Sequence, residues 1–169
     1  MSVLVGERFA CIRIKGRANF SSSIDFKALL NELRQKGYAY FVLDLSECAL
    51  MDSTFLGVLA GFGLKPNGPQ KDRGGSGIEL YNPNPRITEL LESLGVLPLF
   101  HVTQGPLDLA AQTELCAAGP SAPTKADVTR ACLEAHQTLM ALNPENVSRF
   151  KDLAAFLAED LKKLKGPGR

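Results

Sequence analysis

Residues 41–59, FVLDLSECALMDSTFLGVL, constrain the fold of this chain more than any other segment. A nearly continuous apolar run over residues 40–45 is typical of a strand covered on both faces. A short loop then leads to Asp52-Ser53-Thr54, and the apolar residues that follow, Phe55, Val58, Leu59 and Phe62, have helical spacing. A buried strand that leads into a helix in this way predicts an α/β fold.

The rest of the first two thirds of the chain continues this alternation. Strands are predicted at residues 3–5, 9–15, 78–81 and 99–103, and helices at 21–37, 55–63 and 86–94. Ser21-Ser22-Ser23 offers N-cap candidates for the first helix, and Gly37 is a plausible stop. Residues 65–77, KPNGPQKDRGGSG, are predicted to be a flexible loop. The order predicts a mixed sheet of four to five strands covered by helices, with right-handed crossovers between parallel neighbours.

The last third of the chain has a different character. Residues 106–117 predict one short helix, which places a first domain at 1–117, and residues 118–123 are a linker. Thr124 and Asp127 have the spacing of a capping box, and apolar stripes on either side of Asn143-Pro144 predict an amphipathic helical hairpin over 124–165. One face of this hairpin must be buried, either on the chain's own sheet domain or against another subunit.

Charge and hydropathy exclude several classes of protein. Nineteen basic and eighteen acidic residues leave a net charge of +1, which argues against a dedicated nucleic-acid binder. No apolar run approaches the roughly 18 residues typical of a membrane span, and the first sixteen residues lack the pattern of a signal peptide. We therefore expect a cytoplasmic protein that contacts neither nucleic acid nor membrane.

The residues that most often carry chemistry are scattered. The four cysteines (Cys11, Cys48, Cys116 and Cys132) include no close pair at metal-ligand spacing, and they are interpreted as small buried hydrophobes in a reducing compartment. His101 and His136 lie far in sequence from Asp52-Ser53-Thr54, so no Ser/His/Asp triad is indicated. The sequence predicts no cofactor, no metal site and no enzyme activity.

The segment VLDLSECALMDSTFLGVL resembles the STAS domains, and among them the bacterial anti-sigma factor antagonists. In that family a strand ending in Asp-Leu-Ser is followed by Asp-Ser-Ser/Thr-Gly-Leu-Gly at the start of a helix. Asp44-Leu45-Ser46 and Asp52-Ser53-Thr54 match this pattern, and the similarity extends more weakly over about residues 1 to 115. Phe55 departs from the family's usual Gly and adds a bulky ring beside the acceptor, and Asn19 replaces a usual acidic residue.

The resemblance implies a function in bacterial partner switching. A partner that is both an anti-sigma factor and a serine/threonine kinase would bind the unphosphorylated protein and release it after phosphorylation at Thr54, with Ser53 as the alternative acceptor. The partner-binding residues would be Asn19, Asp52, Ser53, Thr54 and Phe55. The resemblance is also compatible with a degenerate family member that binds its partner without being phosphorylated.

The same residues are compatible with different roles. Asp, Ser and Thr are ordinary N-caps, so the cluster is also consistent with helix capping alone. A stand-alone STAS subunit of a lipid-transport ABC complex would use the same helix end to dock on an ATPase. A scaffold subunit of a signalling assembly, or a homodimer, would instead use the C-terminal helices. The sequence identifies neither the sigma factor pathway nor the stimulus.

Overall fold

The computed structural model describes residues 1–6, 9–64, 77–107, 113–115 and 122–166. The helices are α1 (Phe20–Gln35), α2 (Ser53–Leu64), α3 (Pro85–Ser93), α4 (Lys125–Leu142) and α5 (Glu145–Leu164). The strands are β1 (Ser2–Val5), β2 (Phe9–Arg13), β3 (Gly16–Ala18), β4 (Tyr40–Asp44), β5 (Cys48–Met51), β6 (Ile78–Tyr81), β7 (His101–Thr103) and β8 (Thr113–Leu115). The predicted loop at 65–77 lies outside the described residues except for Gly77, and so does linker segment 118–121.

The main sheet has the strand order β7-β6-β4-β2-β1-β8. Strand β4 lies at its centre and pairs in parallel with β2 and β6, and β6 pairs in parallel with β7. Strand β1 pairs antiparallel with β2 and with β8, so the sheet is mixed, as predicted. Four of the five residues of β4 are buried, which is the burial expected of a strand covered on both faces.

One core unites the sheet with the first three helices. Its largest fully buried side chains include Phe26 of α1, Phe41 of β4 and Phe55 of α2, and Leu139 of α4 belongs to the same cluster. The predicted C-terminal hairpin is present as α4 and α5, and it packs against its own sheet domain through α1 and α2. The predicted mixed α/β fold with an added helical hairpin is therefore confirmed.

Three local predictions need correction. The N-cap of α1 is Asn19 rather than one of Ser21-Ser22-Ser23, because its side chain accepts from the Ser22 N–H and the Ser22 hydroxyl accepts from the Asn19 N–H. Residues 48–51, expected to be loop, form strand β5. Part of the short helix expected at 106–117 is strand β8, and residues 108–112 and 116–117 of that prediction lie outside the described residues.

Candidate functional site

A small second sheet brings the starts of α1 and α2 together. Strands β3 and β5 pair in parallel, with Ala18 opposite Met51, and the N–H of Asp52 donates to the carbonyl of Ala18 at 2.9 Å. Because the two strands end side by side, the helices that follow them begin side by side. The candidate site therefore lies at a pair of neighbouring helix N-termini.

Asp52 holds these two helix ends in place. One carboxylate oxygen accepts from the N–H of Phe55 at 2.8 Å, and the other accepts from the N–H of Phe20 at 2.7 Å. The first bond is an N-cap of α2, and the second satisfies a first-turn N–H of α1. Both oxygens are engaged with backbone donors, so the capping interpretation of Asp52 is confirmed.

The residues predicted to bind a partner differ in exposure. Asn19, Asp52 and Ser53 are half-buried, whereas the Thr54 side chain is buried with 5 % of the residue exposed. Phe55 is fully buried, and its ring packs on Phe26 with centroids 4.7 Å apart. Phe55 was predicted to bind a partner and to add a bulky ring beside the acceptor, but at this turn of α2 its side chain points into the core.

Helix α4 covers the first turns of α2. The Ser53 hydroxyl lies 2.9 Å from Nε2 of His136, and the Thr54 hydroxyl lies 3.6 Å from Sγ of Cys132. At Gly57 the helices are so close that an added Cβ would lie 2.4 Å from the carbonyl oxygen of Ala135. Glycine at position 57 is therefore what permits this close approach of α4.

The tautomer of a neutral His136 ring follows from its two partners. Nδ1 lies 2.6 Å from the carbonyl oxygen of Cys132, which can only accept, so Nδ1 carries a hydrogen. In the neutral ring Nε2 is then an acceptor, and the Ser53 hydroxyl donates to it. The ring is buried and meets Phe150 of α5 edge to face at 4.8 Å.

The Ser53–His136 pair differs from a catalytic triad in the group that accepts a hydrogen bond from Nδ1 of the histidine. In a triad a carboxylate accepts from Nδ1 of the histidine, whereas here the acceptor is a backbone carbonyl of the same helix. The Asp52 carboxylate, which is adjacent to Ser53 in sequence, is occupied by two backbone N–H groups. The arrangement suits a structural contact between α2 and α4.

His136 and Cys132 are not among the predicted site residues. Cys132 belongs to the apolar stripe that predicts the hairpin, and His136 lies four residues further on, on the same helical face. The spacing is a usable signal for which face of α4 is buried. Nothing in the sequence states that this face meets Ser53 and Thr54, because that contact joins residues about eighty positions apart.

Two further features define the surroundings of the site. A cleft of about 490 Å³ lies between α1, α2 and α4, lined by apolar groups such as Val58 and Phe62 and by the charged side chains of Lys27, Arg130 and Glu134. Within the described ranges, no group of three or more metal-binding side chains is gathered in one place. None of the described helices combines the length and apolar character that a bilayer-spanning helix needs.

Comparison with known proteins agrees with the architecture. A model of the STAS domain family matches residues 1–107. A structure of the anti-sigma factor antagonist SpoIIAA in its unphosphorylated form is similar, with a TM-score of 0.50 and 17% identity, covering 61% of this chain and 88% of that chain. A structure of the Bacillus cell fate determinant SpoIIAA in the phosphorylated form gives a TM-score of 0.46 and 18% identity, covering 61% of this chain and 91% of that chain.

The search of curated proteins finds no match. The first structural likeness shows a shared fold, and the family match spans more than half of the chain, including β5 and α2 with their Asp52-Ser53-Thr54 junction. The chain belongs to the STAS domain family.

Proposed function

We propose that this protein is an anti-sigma factor antagonist that works by partner switching in the bacterial cytoplasm. It would bind an anti-sigma factor that is also a serine/threonine kinase, and phosphorylation at Thr54, or at Ser53, would end the binding. The observation that carries this proposal is Asp52-Ser53-Thr54 at the first turn of α2, next to the start of α1, in a STAS fold. The protein itself would catalyse nothing.

The physical basis of the switch is the charge of a phosphate at a helix N-terminus. The helix dipole favours an anion there, so the modification is compatible with the fold of α2. The phosphate adds about −1.5 to −2 charges at neutral pH. An acidic or apolar partner surface opposite this helix end would then be repelled, by an amount that reaches several kcal/mol for like charges across an interface.

Ser53 and Thr54 are not equivalent candidates for the acceptor. The Thr54 hydroxyl is enclosed against Cys132, and a phosphate on it needs the space that α4 holds. Ser53 is half-buried, and its hydroxyl donates to His136. Modification of Thr54 thus requires α4 to move, and modification of Ser53 requires loss of the bond to His136.

The test is an intact-mass measurement after incubation with a candidate anti-sigma kinase and ATP. We expect one phosphate on the wild type, none on Thr54→Ala and one on Ser53→Ala. The reverse pattern would assign the acceptor role to Ser53. The absence of a phosphate on the wild type and on both variants, with a kinase that is active on a control substrate, would exclude the kinase-dependent part of the proposal.

A scaffold or homodimer role has separate support in α5. Leu153, Phe156 and Leu164 are 40%, 66% and 38% exposed, an unusual run of large apolar side chains at helical spacing on a surface. A second copy of the chain that packs on this face would form the homodimer expected from the sequence. Sedimentation equilibrium of the wild type and of Phe156→Glu tests it: a wild-type monomer at all concentrations would exclude this role.

A further inference from the structure

The helix end proposed to receive a partner is occupied by the chain itself. Three successive contacts join the first turns of α2 to one face of α4: Ser53 with His136, Thr54 with Cys132, and Gly57 with Ala135. A partner that docks on Ser53 and Thr54 therefore needs the same space as α4.

The covering helices lie outside the part of the chain that the family model matches. That match ends at residue 107, whereas α4 begins at Lys125. The hairpin also has its own small apolar cluster, formed by Leu133, Ala154 and Leu161. Because α4 and α5 bury these side chains against each other, the pair can keep its shape when it moves relative to the sheet domain.

The contact between α4 and the sheet domain is interrupted by the cleft of about 490 Å³. Asp127, Ala131 and Thr138 of α4 line it together with Val58 of α2. A 3.3 Å ion pair between Lys27 and Glu134, with both side chains about half exposed, bridges α1 and α4.

We propose that α4 is an intramolecular competitor of the partner. In a closed state α4 covers Ser53 and Thr54, and in an open state the part of α4 from Lys125 to His136 leaves the face of α1 and α2. That face then accepts a partner surface of similar chemistry, with small side chains against Gly57. The identity of that partner rests on the proposed function, but the equilibrium between the two states does not.

A thiol at the covered position reports the opening without any partner. In the full chain carrying Ser53→Cys, the rate of alkylation of the introduced thiol is measured by peptide mass spectrometry against free glutathione. Burial raises the pKa of the Cys11 thiol to about 11 and also raises the pKa of Cys48, so these two react slowly at neutral pH. Native Cys132 is followed in the same digest, because it lies on the covering face of α4.

Two matched substitutions on α4 separate opening from a general loss of stability. Ala135→Leu places a large side chain against Gly57, where no space exists, whereas Ala131→Leu, one turn earlier, extends into the cleft. We expect the Ser53→Cys thiol to react more slowly than glutathione in the parent chain. Ala135→Leu should accelerate its alkylation by about tenfold or more, and Ala131→Leu by less than about twofold.

If the Ala135→Leu variant does not fold, a second pair of substitutions, on α2, tests whether α4 covers Ser53. Gly57→Ala adds only a Cβ, which meets the backbone of Ala135, and alanine favours the helix more than glycine does. Gly61→Ala is its control, because the added Cβ would lie 3.9 Å from Thr138, an ordinary contact. Gly57→Ala should speed alkylation of the Ser53→Cys thiol, and Gly61→Ala should not.

The outcomes separate this inference from the proposed function. Alkylation of the parent at the glutathione rate, or equal rates in Gly57→Ala and Gly61→Ala, would overturn the closed state. With a candidate kinase and ATP, phosphorylation of the chain with native Ser53 should be faster in Ala135→Leu than in Ala131→Leu. Equal and measurable rates would overturn the competition, whereas opening without any phosphorylation would support the inference and count against the proposed function.

Discussion

The two ends of α4 meet the sheet domain in different ways. At the turn end Leu139 is fully buried in the main core, and the side-chain amide of buried Asn146 donates to the carbonyls of Leu94 and Leu139 at 2.9 Å. Before the turn α4 borders a cleft and contributes a half-exposed ion pair through Glu134. Apolar burial and satisfied buried carbonyls therefore fix the turn, whereas the rest of α4 is held by its contacts with Ser53, Thr54 and Gly57 and by an exposed ion pair.

This contrast explains how one hairpin can be both part of the fold and a removable cover. A hairpin pinned at its turn and loose at the start of α4 can uncover Ser53 and Thr54 without leaving the protein. The loose end would open by local unfolding or rotation, at a free energy well below that of global unfolding. Substitutions at one end of α4 can therefore be tested against substitutions at the other.

The largest effect is expected from Leu139→Ala at the turn end. Removal of a fully buried leucine side chain costs about 2–5 kcal/mol, because transfer free energy and a cavity both contribute. Urea unfolding of the whole chain measures the loss. Leu153→Ala on α5, where the leucine is 40% exposed, is the control, measured at a concentration at which the chain is monomeric, and should change stability by less than about 0.5 kcal/mol. Equal losses in the two variants would show that Leu139 does not anchor the hairpin.

Asn146→Ala should have the next largest effect, about 1–3 kcal/mol, because it leaves the buried Leu94 carbonyl without the Asn146 donor. The Leu139 carbonyl keeps a bond from the N–H of Asn143 at 3.2 Å. Thermal unfolding of Asn146→Ala and of the control Ser148→Ala, whose hydroxyl bonds only locally in α5, gives the comparison. An unchanged midpoint in Asn146→Ala would mean that the turn is not held by these bonds.

Sequence reasoning succeeded where local pattern decides structure. The apolar run of β4, the spacing in α2 and the capping box at Thr124 and Asp127 all predicted elements that the structure contains. Sequence reasoning failed where the structure depends on contacts between residues that are distant in sequence. Strand β5 has no clear alternation and exists because β3 lies beside it. Three consecutive serines suggested the cap of α1, but Asn19 holds that position.

The same limit applies to the candidate site. Its position at the start of α2 followed from the motif, but the burial of Phe55 and Thr54 depends on what packs around α2. The amphipathic stripe showed that one face of α4 is buried without naming the surface it meets. A hairpin docked on its own domain and one docked on another subunit have the same periodicity, so only the three-dimensional contacts distinguish them.

Thr124→Ala tests the loose end at the first residue of the hairpin. The Thr124 hydroxyl accepts from the Asp127 N–H, and the loss of such a cap costs about 1 kcal/mol of helix stability. We expect faster amide hydrogen exchange in the first turn of α4, with unchanged exchange around Leu139. Equal changes along the whole of α4 would show that the two ends are not independent.

The same substitution has a pH signature. Hydrogen bonds from the Thr124 hydroxyl and N–H lower the pKa of Asp127 below its usual value. The carboxylate therefore supports the cap at neutral pH, and this support is lost as the pH falls through the lowered pKa. An NMR titration should show the Asp127 pKa rising in Thr124→Ala. A pKa that does not rise would mean that the Thr124 hydroxyl has no part in lowering it.

The smallest effect is expected from the ion pair that bridges α1 and the middle of α4. Lys27 and Glu134 are each about half exposed, and surface pairs of this kind contribute about 0.2–1 kcal/mol, less at high salt. A double-mutant cycle with Lys27→Ala and Glu134→Ala should give a coupling in this range, screened by salt on addition of NaCl. The control cycle uses Lys36 and Glu32, which are also half exposed but lie within one turn at the end of α1.

If α4 opens, breaking the Lys27–Glu134 pair should speed alkylation of a Ser53→Cys thiol, whereas breaking the control pair should not. A coupling above about 2 kcal/mol would instead place this pair in a sealed interface and make the two ends of α4 alike.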